Sequence, residues 1–490
     1  MALLREKRPL PVRGPTDARG TTARAWPVLA PLLIAVLLLC VVWAVLTPPL
    51  QAPDETTHFA YAQALAERGA SPGDPRRETF STEQRLLQDA AGTQRTALTP
   101  SGRPSWGSAA EARWRLAQAG LPRGARMDGG GPNPASLNPP LYYAYGALPY
   151  WAGSGTTIVD RLRLMRLASV LFGLVTVAGA WLLAGEAFGR DRIRQLAAAG
   201  TVGLLPMVTF VSASFNPDAL LWAAASLALW LAVRVVRRGL TPASVGALVA
   251  VTAVGIATKL IFLALVPSLA LALGVGLWRR GGGGRRDGPT GRVLLAVAAA
   301  GLAGMAAFGL AAGVLTGRVD LRLFASYLWQ FYLPRLPFQQ DFPALGGLPA
   351  YEVWVKTGWG AFGWFETRLP EPVYVALALL TLVVALAAIA ALWRARRRMD
   401  PAVAILLAVA PLSVLFVLHL VEAYSITVGQ GAITQGRYLL PLAPLGGLGV
   451  GAALTLLRPE RRPLAVGGLL GLLLALQLLS LAVVADRFYA

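Results

Sequence analysis

Long apolar runs, most of them closed by arginines at one end, constrain this chain more than any other feature. A run of about 20 apolar residues crosses a ~30 Å hydrocarbon core as a helix, the form that satisfies all of its own backbone hydrogen bonds there. The first run is Trp26–Leu46. Others follow near Arg163–Ala184, Leu196–Ser212, Ala219–Val236, Ala243–Ala257, Leu260–Trp278, Val293–Leu315, Val373–Trp393, Ala402–Leu420, Leu439–Leu457 and Leu464–Val484. They predict an all-α integral membrane protein of about eleven transmembrane helices. Composition agrees: 55% of the residues are hydrophobic and only 14% charged, against about 25% charged in soluble domains.

The arginines also set an orientation. Arg190/Arg192/Arg194, Arg237/Arg238, Arg279/Arg280/Arg285/Arg286, Arg394/Arg396/Arg397/Arg398 and Arg458/Arg461/Arg462 all fall on the cytoplasmic side if the N-terminus is cytoplasmic. The N-terminus itself carries Arg5, Lys7, Arg8, Arg13, Arg19 and Arg24. The first run reads as an uncleaved helix, because it is long enough to span and no small-x-small site precedes Pro48-Pro49. This orientation rejects a span at Pro139–Trp151, which would turn every later cluster outward. Tyr142, Tyr143, Tyr145, Tyr150 and Trp151 there read instead as an interfacial aromatic belt. The stretch Ala243–Trp278, about 36 residues with arginines beyond both ends, must be a hairpin turning near Thr258-Lys259. The net charge of +20 comes largely from these clusters, so it orients helices and does not imply nucleic acid. The usage of Ala, Leu, Gly and Arg suggests a GC-rich bacterial genome. The expected location is the bacterial plasma membrane, multi-pass, with the C-terminus extracytoplasmic. Cys40, the only cysteine, lies in the first run, reads as a small lipid- or core-facing residue, and excludes an intramolecular disulfide.

The expected organisation is a basic cytoplasmic segment at 1–25, the first transmembrane helix at 26–46 and an extracytoplasmic loop at 47–162. Transmembrane helices two to seven at 163–315, a second, aromatic outer loop at 316–371 and helices eight to eleven at 372–490 complete it. Leu65, Leu86, Leu87, Trp106 and Trp114 suggest that the first loop carries short interfacial helices. Trp329, Trp354, Trp359 and Trp364 in the second suit interfacial anchoring. Gly281–Gly284 reads as a flexible linker, because no strand precedes it and no Lys-Ser/Thr pair follows.

The outer side holds most of the polar chemistry. Directly after the first run comes Pro53-Asp54-Glu55-Thr56-Thr57-His58. Asp54 suits a helix N-cap; at helical spacing Asp54, Glu55 and His58 share a face. Two carboxylates and an imidazole there suit a general base, or a divalent cation such as Mg or Mn, as readily as a capped, solvated helix start. Thr434-Gln435-Gly436-Arg437-Tyr438 opens the tenth run; Arg437 can grip a phosphate bidentately or simply snorkel. Lys259, at the tip of the hairpin, suits an anionic head group or snorkels likewise. Asn216-Pro217-Asp218 makes a tight turn by itself. His419 and Glu422 lie near the outer end of the ninth run.

These segments, with Asn138-Pro139-Pro140-Leu141-Tyr142-Tyr143, resemble a bacterial family of polytopic membrane proteins built on a domain of unknown function and related to the GT-C superfamily of glycosyltransferases. The resemblance runs in order from the first span to the tenth; Pro-Asp-Glu-x-x-His and Gln-Gly-Arg-Tyr are its specific parts. It implies a GT-C-like fold with two large outer loops. It implies transfer of a sugar from a polyprenyl-phosphate donor to a glycan or lipid acceptor of the cell envelope. It places the catalytic base on Asp54, with Glu55 and His58 assisting or joining a metal site, and the donor phosphate on Lys259 and Arg437. Asn138, Tyr142, Asp218, Gln435 and Tyr438 would line the substrate groove. Many GT-C enzymes carry His or Lys where this chain has Asn138, which removes one phosphate contact. The rival readings are a flippase for lipid-linked glycans, which predicts charges or broken helices at mid-bilayer, and a non-catalytic assembly protein.

Overall fold

The computed structural model describes residues 26–93, 106–122, 124–189, 191–280, 301, 309–310, 313–339, 349–429 and 434–490. Among them, eight helices are long and apolar enough to cross a membrane. They are α1 (Trp26–Leu46), the 31-residue α6 (Ile158–Phe188), α9 (Asp218–Arg238), Leu260–Arg280, α13 (Glu371–Ala395), α14 (Pro401–Thr427), Gly436–Leu456 and Pro459–Tyr489. The run at Leu196–Ser212 is a broken pair, α7 (Arg192–Gly203) and α8 (Pro206–Ser212), bent by 60°. Pro206 at the start of α8 has no N–H to continue the ladder, which explains the break. The first arm of the expected hairpin is α10 (Pro242–Thr258), 17 residues long and opened by a Thr241–Ser244 capping box. The expected span at Val293–Leu315 falls mostly outside the described residues, as do 1–25, Arg190, Gly281–Gly284, Arg285 and Arg286.

The second arm begins as a 3-10 turn (Leu260–Leu265) that leads into α11 (Val266–Arg280). Likewise the 3-10 turn Gly436–Leu442 leads into α15 (Ala443–Ala453), and α16 (Arg462–Tyr489) closes the chain. Small residues let the helices approach. A Cβ on Gly179 of α6 would lie 2.3 Å from Ser226 Oγ of α9, and one on Gly447 of α15 would lie 2.5 Å from the Ala198 carbonyl of α7. The break between α7 and α8 is sealed from inside. Gln477 of α16, fully buried, donates to the Leu204 carbonyl at 3.2 Å and to Thr209 Oγ1 at 2.7 Å, and accepts from Trp43 Nε1 at 3.0 Å. Cys40 is buried in the same core.

The first loop folds into α2 (Glu55–Arg68), α3 (Thr82–Ala91), α4 (Ser108–Ala119) and α5 (Leu141–Ala152). Leu87, Trp106 and Trp114, expected on interfacial faces, instead point into one core with Phe59, Tyr61, Tyr142, Tyr143 and Tyr150. The aromatic belt expected at Tyr142–Trp151 is likewise corrected. Of these rings Tyr142, Tyr143 and Tyr150 are fully buried and Trp151 alone is largely exposed. Each buried hydroxyl has a partner, such as Ser169 Oγ at 2.6 Å from Tyr142 and Glu67 Oε1 at 2.8 Å from Tyr150, so the phenols cost little to bury. In the second loop, α12 (Leu321–Tyr332) docks on α14. His419 of α14 bonds Tyr327 through Nδ1 at 2.9 Å and Tyr332 through Nε2 at 2.8 Å.

Candidate functional site

The link between α1 and α2 is pinned by an arginine of α6. Arg166, 2% exposed, donates to the carbonyls of Ala44 at 3.1 Å, Thr47 at 2.6 Å and Pro48 at 2.9 Å. Its Nε donates to Glu55 Oε1 at 2.8 Å, and that oxygen also accepts the Phe215 N–H at 3.0 Å. Asn216 Nδ2 donates to the Pro53 carbonyl at 3.0 Å. Between these anchors Asp54 takes a left-handed conformation, φ 57° and ψ 7°, with its side chain free of any capping bond. Such a backbone costs on the order of 1–3 kcal/mol in a residue other than glycine, and persists where surroundings impose it. Here it turns the Asp54 carboxylate away from α2 and toward the start of the Gly436–Leu442 turn.

Four charges from distant segments meet there. Arg437, 1% exposed, bonds Asp54 Oδ2 through Nη2. Its Nε lies 3.8 Å from Asp218 Oδ2. Lys259, in extended conformation at the break after α10, donates from Nζ to Asp218 Oδ1 at 2.6 Å. Asp218 is set by the Asn216 side chain, which accepts its N–H at 2.9 Å. Lys259 lies 5.4 Å from the centre of the Tyr438 ring; Arg437 lies 5.4 Å from the same ring and 5.7 Å from Phe365. Phe365 also has a left-handed backbone, φ 69°, so two strained residues flank one guanidinium. The turn that carries Arg437 is held by close backbone contact, since a Cβ on Gly436 would stand 2.5 Å from the Gly358 amide. Two cations balance two carboxylates. Arg437 Nε and Nη1, Asp218 Oδ2 and Gln435 Oε1 nevertheless have no hydrogen-bond partner in the protein. Buried donors left open on an arginine are suited to an anionic guest.

His58 stands beside this cluster on α2. Asn138 Nδ2 donates to the Tyr143 hydroxyl at 3.1 Å, and that hydroxyl is hydrogen-bonded to His58 Nδ1 at 2.9 Å. Burial pushes the His58 imidazole down to about 4, against the upward pull of Asp54, and holds it neutral. Burial alone would raise the Asp54 carboxyl; the Arg437 charge beside it outweighs burial and holds Asp54 below the usual carboxylate range. Asp54 is therefore an anion at neutral pH.

The depressed imidazole makes a prediction. Unfolded, His58 takes up a proton near its ordinary value of 6.5; folded, it resists until about 4. Its contribution to stability is therefore complete above about pH 6.5 and falls by about 3 kcal/mol as pH drops to about 4. The thermal midpoint of the detergent-solubilised protein, compared at pH 7 and pH 5 with that of His58→Gln, reads this. The variant's pH slope is expected to be shallower.

Several expected site residues take different places. Glu55, expected to assist Asp54, has no exposed surface and is wholly engaged by Arg166 and the Phe215 N–H. The carboxylates of Asp54 and Glu55 do not converge, because Glu55 faces Arg166 and Asp54 faces Arg437. Among the described residues no three His, Cys, Asp or Glu side chains are grouped to hold a metal. Tyr142, expected in a substrate groove, is buried under Ser169 and stacked on Phe215 at 4.9 Å. Asn138, Gln435 and Tyr438 are half-buried beside the cluster or its tyrosine. Arg166, a charge inside an apolar run and so a mark of purpose, belongs with these residues, and its neighbour Arg161 pairs with Glu83.

Fold and site together define a polytopic α-helical membrane protein with a paired-charge cluster at one end of its helices. The chain belongs to the predicted membrane protein family DUF2142, whose profile matches residues 37–446. That range contains Asp54, Asp218, Lys259 and Arg437, and the expectation of a family with a domain of unknown function is met. Among solved structures, the chain is similar to ArnT from Cupriavidus metallidurans in the apo state, with 15% identity and a TM-score of 0.43 over 96% of this chain and 75% of that one. It is similar also to ArnT from the same organism bound to undecaprenyl phosphate, with 16% identity and a TM-score of 0.41 over 96% and 76%. No curated protein matches the sequence.

Proposed function

We propose that this protein is a membrane glycosyltransferase of GT-C type, moving a sugar from a polyprenyl-phosphate-linked donor to a cell-envelope acceptor on the outer face of a bacterial plasma membrane. The observation that carries this reading is the convergence of Asp54, Asp218, Lys259 and Arg437, with two Arg437 donors left open. The cluster lies at the ends of helices and not at mid-bilayer, which suits chemistry on a lipid head group better than passage of one through the membrane.

In this reading the donor phosphate takes the outer edge of the Arg437 guanidinium, bonding the open Nη1 and displacing the Asp54 carboxylate from Nη2. Lys259, held by Asp218, adds a second cation near the leaving oxygen. Asp54, now free and ionised, accepts the proton of the acceptor hydroxyl. The acceptor oxygen bonds to the anomeric carbon as the bond from that carbon to the phosphate oxygen breaks, and polyprenyl phosphate leaves. Glu55 and Arg166 hold Asp54 in place and touch no substrate. No step needs the Asp54–Glu55–His58 metal site.

Binding of polyprenyl phosphate to the purified protein tests the phosphate assignment. Arg437→Lys keeps the charge and loses the planar fork, so its affinity is expected to fall about tenfold or more. Affinity equal to that of the wild type removes Arg437 from the phosphate site.

A further inference from the structure

We infer that the end of the helix bundle opposite the charge cluster carries a binding site for an anionic phospholipid. This goes beyond the proposed reaction and does not depend on it. A cavity of about 540 Å³ opens at that end between α13, α14 and α15, within the range of sites that enclose a small amphiphile. Its walls are apolar, formed by Leu392, Leu407, Leu445 and Leu448, while Arg194, Arg237 and Arg398 stand at its edge. The helix α9 fixes the placement, since Asp218 begins it inside the charge cluster and Arg237 lies near its other end. At 1.5 Å per residue those two are ~28 Å apart, a full membrane thickness.

The charges at the edge do not cancel. Asp400 lines the cavity too, but both of its oxygens are taken by Arg279 at 2.9 Å. Arg194 is paired with Asp191 at 2.7 Å. Arg237 and Arg398 are exposed and have no ion-pair partner among the described residues. The site therefore offers an apolar slot with two guanidinium groups at its mouth that no described residue compensates, on the side that the positive-inside rule assigns to the cytoplasm. Acyl chains fit the slot and an anionic head group fits the mouth, as in basic pockets between transmembrane helices.

The test uses the full-length protein in detergent with phosphatidylglycerol, phosphatidylcholine or inorganic phosphate, read by native mass spectrometry and by thermal midpoint. Phosphatidylglycerol is expected to bind about tenfold or more tightly than phosphatidylcholine and to raise the midpoint. The doubly substituted Arg237→Gln, Arg398→Gln protein should lose that preference. Leu448→Trp, which fills the slot and keeps both charges, should lose the bound lipid, so one misfolded variant does not decide the matter. Equal binding of the two lipids, or an undiminished preference in the doubly substituted protein, overturns the proposal. Stabilisation by inorganic phosphate equal to that by the lipid also overturns it, because the slot would then contribute nothing.

Discussion

Replacing Asp54 by Asn is expected to lower the turnover of sugar transfer by about 10²–10⁴-fold, the usual loss for a removed general base. Asparagine is nearly isosteric and tolerates the left-handed backbone that residue 54 adopts, so the loop keeps its shape. Arg437 loses one partner but keeps Asp218 at 3.8 Å. In the donor-free protein the Asp54 carboxylate occupies the guanidinium that the donor phosphate must take. The variant is therefore expected to bind polyprenyl phosphate as well as the wild type or better while its turnover collapses. Turnover and KM for the donor, measured in reconstituted vesicles, separate these effects. A merely structural Asp54 would degrade both together.

Replacing Arg166 by Met is expected to cost about 3–5 kcal/mol, the penalty for removing one partner of a buried ion pair. The substitution strands Glu55, which has no exposed surface, and removes the donor to the Ala44, Thr47 and Pro48 carbonyls. Whole domains are stable by about 5–15 kcal/mol, so this one change should lower the thermal midpoint markedly. Adding Glu55→Gln to Arg166→Met removes the stranded charge and should restore a large part of the loss, because the residues act as a pair. A double variant as unstable as the single one would show that the carbonyl anchors, and not the ion pair, carry the energy.

The helices were legible because hydropathy over about 20 residues is a strong, local signal. Eight expected spans coincide with long apolar helices, Leu196–Ser212 is the bent pair, and Ala243–Ala257 is the short α10. The bend at Leu204-Leu205 was hidden, since Pro206 at the first position of a new helix and Pro206 inside an old one look alike in a continuous apolar run. At the site, Asp54, Lys259 and Arg437 stood out because each is a charge beside an apolar run, and the fold does bring them together. What misled was helical spacing at the Asp54–His58 segment. Asp54 is left-handed and lies outside α2, so spacing along a helix does not set which way it faces relative to Glu55. Glu55 then turns to an arginine 111 positions along the chain, a pairing no local pattern displays. Tyr142, Tyr143 and Tyr150 were misplaced for a related reason. Their hydroxyl partners come from other elements, and a tyrosine with a distant partner is as buried as a phenylalanine.

The most direct measurement is transfer of radiolabelled sugar from polyprenyl-phosphate-linked donors to envelope acceptors, in vesicles carrying the purified wild-type protein. The account predicts labelled product from the wild type, with polyprenyl phosphate released in equal amount, and product near background from Asp54→Asn with its fold intact. A folded wild-type protein that binds polyprenyl phosphate yet transfers no sugar from any such donor would contradict it.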